Sequence, residues 1–257
     1  MSENVIETDV EIRTPDGICD AAYIHPTSGS HAGVLFWADA GGLRPVTRKM
    51  GRRLAAEGYS VLVPNPFYRV SKAPFAAGFN LNFQNPADMA KLRVLFESIK
   101  PAGYAERDAA AFVEFLDAQK EVDGTKPIGA QGYCMGGALV MRSAAALPGR
   151  IGAGASFHGG GLVTDGPDSP HLLVPKIKAR MYFGVAADDD EKQPDAKNKL
   201  RQVFAEAGIP VEIEVYSGLH GWCMEDMPAR GDRAVYMRAE AERAWGKLLG
   251  LYRTALA

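Results

Sequence analysis

Short unbroken apolar runs alternate along the chain with segments whose apolar residues recur every three or four positions. Gly33-Val34-Leu35-Phe36-Trp37-Ala38 is of the first kind, suited to a strand buried on both faces. Tyr59 to Val63, Pro127 to Tyr133, Gly152 to Phe157, Ala179 to Val185 and Val211 to Tyr216 predict further strands. Residues 46–57 carry Met50, Leu54 and Ala55 at helical spacing and stop at Gly58. Helices are predicted over 86–100, 104–119, Gly136 to Leu147, 195–207 and 232–249. Before the first buried run, Val10 and Ile12, then Ile18, Ala22 and Ile24, flank Pro15-Asp16-Gly17 and predict an antiparallel hairpin.

Strand and helix alternate from residue 33 to the end, which predicts an α/β fold: a mostly parallel sheet covered by helices on both faces, with the hairpin at its start. Residues 64–85 are rich in proline, asparagine and phenylalanine without a period and read as loop and cap material near a substrate mouth. Gly159-Gly160-Gly161 and Asp165 to Pro170 read as a surface loop, not a linker, so residues 1–257 are expected to form a single domain.

Bulk properties narrow the function. The 257 residues are 47% hydrophobic and 23% charged with a net charge of −2, which suits an enzyme with a substantial core. That balance gives no reason to expect nucleic acid or an anionic membrane as a partner. Met1 to Val10 has no apolar run of a secretory signal, and no stretch reaches the roughly 18 apolar residues of a spanning helix, so a cytoplasmic location is expected. Cys19, Cys134 and Cys223 are too few and too irregularly spaced for a disulfide framework or a zinc site. His25, His31 and His171 fall in turns without ligand spacing, so no metal or other cofactor is expected.

Gly132-Tyr133-Cys134-Met135-Gly136-Gly137 follows an apolar strand and opens a helix of small residues. A nucleophile on a sharp strand-to-helix turn needs this context. Residues two before and two after it approach closely, and the helix start aims backbone N–H groups at the reacting atom. A buried inert thiol in a tight turn is the alternative. Chain order favours chemistry. An acidic cluster, Asp188-Asp189-Asp190, follows one strand, and His220 follows the next, within Ser217-Gly218-Leu219-His220-Gly221-Trp222. Nucleophile, acid, histidine is the order of α/β-hydrolases, and strand carboxyl ends carry the functional loops of open α/β sheets. His220 would handle the thiol and leaving-group protons, and a carboxylate would orient it. Asp189 is the expected acid, with Asp188 and Asp190 as competitors. The backbone N–H groups of Met135 and of Ala40, in Asp39-Ala40-Gly41-Gly42 after an earlier strand, are expected to form the oxyanion hole. Trp222, His158 and Arg69 are cleft-lining candidates.

From residue 33 onward the chain resembles the dienelactone hydrolase family, whose Gly-Tyr-Cys-Leu-Gly-Gly is similar to the segment around Cys134. Leu54-Ala55-Ala56-Glu57-Gly58-Tyr59-Ser60-Val61-Leu62-Val63-Pro64 is similar to its helix-to-strand passage, and His220 falls at its histidine loop. The resemblance implies an ester or lactone hydrolase of carboxymethylenebutenolidase type with Cys134, Asp189 and His220 as its triad. It implies a thiol-tuning acid at Asp39, where the family usually has glutamate; attack by the Cys134 sulfur on the carbonyl is expected to pass through a thioester. The family's dienelactone-cleaving members carry an arginine shortly after the histidine to hold a substrate carboxylate. None occurs in His220-Gly221-Trp222-Cys223-Met224-Glu225, which argues against an anionic dienelactone. The expected partner is a small ester or lactone, acted on by a monomer or homodimer. The alternative is a silent or redox-sensing member of the fold with a reactive thiol at Cys134.

Overall fold

The computed structural model describes residues 4–74 and 85–257. It is an α/β fold whose contacts divide it into two compact units, one reaching to Gly124 and one spanning Thr125–Ala257.

The first unit runs β1 (Val5–Thr14), β2 (Gly17–Pro26), β3 (Gly33–Trp37), α1 (Pro45–Ala56), β4 (Ser60–Pro64), α2 (Pro86–Ile99) and α3 (Tyr104–Asp117). Its strands lie in the order β1-β2-β4-β3. β1 and β2 form the expected hairpin, with Thr14 opposite Gly17, and β2 pairs antiparallel with β4. β3 and β4 are parallel, as a connecting helix between them requires, and every residue of both is buried. The unperiodic segment expected as loop is irregular where described, and it contributes buried Asn65, Phe67 and Tyr68; its residues 75–84 lie outside the described residues.

The second unit runs β5 (Ile128–Tyr133), α4 (Met135–Ala146), β6 (Ile151–Phe157), a 3-10 helix (Pro170–Lys176), β7 (Arg180–Ala186), α5 (Ala187–Lys192), α6 (Ala196–Glu206), β8 (Val211–Tyr216) and α7 (Arg238–Ala255). Its four strands are parallel, in the order β5-β6-β7-β8. α4 packs on β5 and β6 and buries Val140, Met141 and Ala144, and α7 packs on β6 and β7 and buries Leu248, Leu249 and Tyr252. All the strand carboxyl ends of this parallel set lie on one side, so the loops after β5, β6, β7 and β8 are gathered there.

Two element boundaries depart from expectation. The last helix is predicted over 232–249 but spans Arg238–Ala255, because Arg230 and Arg233 pair in a tight turn around Gly231 and hold the chain out of helix. The acidic cluster, expected in a loop, lies in the short helix α5, whose positive N-terminal end suits three aspartates in its first turn.

Candidate active site

Only Cys134 separates β5 from α4. Its backbone is at φ 53° and ψ −119°, a conformation costing a non-glycine residue about 1–3 kcal/mol. Glycines make the bend possible. A Cβ on Gly132 would stand 2.2 Å from the Gly136 carbonyl oxygen, and one on Gly137 2.2 Å from the Ser156 Oγ. The bend is fastened by its own backbone. The Cys134 N–H donates to the Phe157 carbonyl at 3.1 Å, and the Cys134 carbonyl accepts from Gly137 and Gly160, each at 3.1 Å. Met135 is the first residue of α4, so its N–H belongs to the helix-start donors that have no partner within the helix.

His220, after β8, donates its Nδ1 to the Asp189 carboxylate at 2.5 Å. The imidazole also hydrogen-bonds the Cys134 side chain. Burial alone would depress the His220 pKa. The bonds to Asp189 and Cys134 outweigh it, and the imidazole is pushed up to about 10. The three neighbouring aspartates divide their contacts. Asp188 accepts the His220 backbone N–H at 2.7 Å and pairs with Arg230, also at 2.7 Å. Burial would raise the Asp188 carboxyl, yet the His220 N–H and the Arg230 guanidinium hold it below its usual range. Asp190 takes Lys197 at 2.6 Å. Asp189 is the one whose carboxylate faces the imidazole.

His158, at the end of β6, is fully buried, with its ring centroid 5.1 Å from that of His220 and 5.0 Å from that of Trp222. Its Nδ1 accepts the Cys134 N–H at 3.1 Å. Burial, then the charge of His220, pushes its pKa well below the usual imidazole value. Trp222 is sealed and stacks on Tyr216 with centroids 4.7 Å apart. The other two thiols differ from Cys134. Cys19 and Cys223 are buried, and burial pushes both pKa values up, which keeps them as thiols.

The remaining sequence candidates belong to the first unit. Asp39, expected to tune a thiol, is buried and held in both its oxygens by the equally buried Arg44, at 2.5 and 3.0 Å. Its Oδ1 also accepts the Gly41 N–H at 3.1 Å. Ala40 is buried in the same turn. Arg69, expected to line a cleft, is engaged by Asp108 and Asp16 and stacks over Tyr68 and Tyr104. Among the described residues no cluster of three or more His, Cys, Asp or Glu side chains is arranged to hold a metal ion.

Three contacts of functional interest have no signal in the sequence. Arg44 has no motif around it, and Arg230 reaches back across the loop to the His220 carbonyl at 3.1 Å. The bond from Cys134 to His158 depends on a backbone φ of 40° at His158, which no pattern announces.

Residues 19–256 match the model of the dienelactone hydrolase family. Similar curated proteins include a carboxymethylenebutenolidase of Rhodococcus opacus, 27% identical over 207 residues that cover 79% of this chain and 75% of the relative. The hydrolase tropI of Talaromyces stipitatus is 26% identical over 217 residues, covering 83% of this chain and 79% of the relative. Among solved structures, a dienelactone hydrolase-like promiscuous phosphotriesterase from metagenomic libraries superposes with a TM-score of 0.80 at 20% identity, covering 99% of this chain and 100% of that one. Among the described residues no helix is long and apolar enough to cross a membrane.

Proposed function

The chain belongs to the dienelactone hydrolase family, and we propose that it cleaves an ester or lactone through Cys134, His220 and Asp189, with a thioester on Cys134 as the intermediate. One observation carries this reading: the His220 imidazole stands between a carboxylate on Nδ1 and the sulfur of the strained bend.

The contact between His220 and the Cys134 side chain decides how the reaction starts. His220 takes the thiol proton as the Cys134 sulfur attacks, the two groups being already in contact. Attack on the carbonyl carbon forms a tetrahedral oxyanion, which the Met135 N–H at the start of α4 would steady. Collapse breaks the bond to the leaving oxygen, and imidazolium gives that oxygen its proton. The sulfur is now an uncharged thioester, so one of the two contacts that raise the His220 pKa is gone. Neutral imidazole then takes a proton from water, hydroxide adds to the thioester carbonyl, and thiolate is expelled as the acid product forms. Asp189 holds the ring in one orientation throughout and stabilises it when charged.

The Rhodococcus relative's name suggests a butenolide lactone. We favour a lactone or simple ester without a carboxylate that needs an anchor. Arg230, ten residues beyond His220, is engaged by Asp188 and the His220 carbonyl. Turnover of a chromogenic short-chain ester by wild type and Cys134→Ala tests the reading. Loss of turnover in the variant is expected, and equal rates would sink it.

A further inference from the structure

Among the described residues, two that are not glycine hold a positive φ: Cys134 at 53° and His158 at 40°. They stand on neighbouring strand ends, and the Cys134 N–H, which is shared with the Phe157 carbonyl, donates to the His158 Nδ1 at 3.1 Å. His158 is itself fixed at the far side, since its own N–H donates to the Gly184 carbonyl of β7 at 2.7 Å. We propose that His158 is a positioning residue for the nucleophile: its Nδ1 lone pair holds the Cys134 backbone in the bend and so keeps the sulfur aimed at His220. The role rests on the hydrolase reading for its effect on turnover, though not for its geometry.

The chemistry of the ring fits this task. An imidazole that accepts at Nδ1 must carry its proton on Nε2. That Nε2 is buried without a partner among the described residues, an arrangement that costs stability and so calls for a return elsewhere. Protonation would place a hydrogen on Nδ1 and destroy the acceptor. Burial and the His220 charge, which both lower the His158 pKa, keep the lone pair available while His220 is cationic. The charged groups facing the ring are therefore few: His220 lies 5.1 Å away, and its other ring neighbours, Trp222 and Tyr133, are uncharged.

Three substitutions separate the acceptor from the space and from the backbone angle. Asparagine offers an oxygen close to the place of Nδ1 and tolerates positive φ. Glycine tolerates positive φ but accepts nothing, and leucine matches asparagine in size but accepts nothing. His158→Gly and His158→Leu err in opposite directions, one leaving space and one straining the backbone. Both are expected to lower kcat about 10- to 100-fold with KM nearly unchanged, the scale of a misplaced reacting atom. Both should also slow alkylation of Cys134 by iodoacetamide. His158→Asn is expected to recover most of each loss. An asparagine variant as poor as the leucine one would overturn the proposal, as would a glycine variant as fast as wild type. Wild-type protein supplies a check that no misfolded variant can spoil: a scalar coupling across the bond between the Cys134 amide nitrogen and the His158 Nδ1. Its absence would also overturn the proposal. If Cys134→Ala still turned over ester, the hydrolase reading would fail, whereas alkylation rates and the coupling would still judge His158.

Discussion

Replacing Asp189 with asparagine keeps the shape of the acid and removes its charge. The 2.5 Å charge-assisted bond to the His220 Nδ1 then disappears. Such bonds contribute about 1.5–3 kcal/mol. At 1.36 kcal/mol for each factor of ten, about a 10- to 150-fold fall in kcat follows, with KM little changed. The pH behaviour should move with it. Asp189 and Cys134 together hold His220 at about 10 against the effect of burial. Without the carboxylate, the imidazole should lose its proton at lower pH. Ester turnover and the rate of Cys134 alkylation, each followed from about pH 5 to about pH 10, read both effects. Asp188→Asn and Asp190→Asn are the internal controls, because those carboxylates meet the His220 backbone N–H and Lys197 instead. Asp190→Asn should stay within about twofold of wild type, as a part-exposed ion pair contributes little. An Asp189→Asn variant with wild-type rates and an unmoved pH profile would refute the assignment, as would a larger kcat loss in Asp190→Asn.

Other outcomes follow from the same geometry. Cys134→Ala should lose turnover by about a thousandfold or more, and Cys134→Ser should not recover it, since a hydroxyl needs a stronger base than a thiol does. Gly132→Ala should destabilise the second unit by about 1–3 kcal/mol in urea unfolding, because its Cβ would stand 2.2 Å from the Gly136 oxygen. Arg44→Met would leave the Asp39 carboxylate buried without its cation. The expected loss is about 3–5 kcal/mol, and Asp39→Asn in the same chain should recover part of it. His220 has a raised folded pKa, so its contribution to stability should be complete below its unfolded pKa near 6.5 and be lost as pH rises toward about 10. Unfolding free energies of wild type and Asp189→Asn across that window should converge at the alkaline end.

Much of this architecture is legible in the residues themselves. Unbroken apolar runs such as Val34 to Trp37 mark strands buried on both faces, and glycine flanking on both sides of Cys134 marks a bend that only small neighbours permit. Order along the chain places Cys134, an aspartate and His220 after strands β5, β7 and β8 of one parallel set. The pattern does not resolve which of three adjacent aspartates turns toward the ring. In α5 successive side chains differ in direction by about 100°, so Asp188, Asp189 and Asp190 meet three different partners. Nothing along the chain signals that Arg44 occupies Asp39 or that Asp108 and Asp16 occupy Arg69, because ion pairs depend on tertiary approach. The final helix is displaced for a local reason, the turn at Arg230 to Arg233, which apolar periodicity does not register.

The most direct measurement is intact-mass analysis of the protein quenched during turnover of a slow ester, followed by peptide mapping. One acyl group should be found on Cys134, and hydroxylamine should release it as it does a thioester. Turnover with no adduct, or with the acyl group on another residue, would contradict the account.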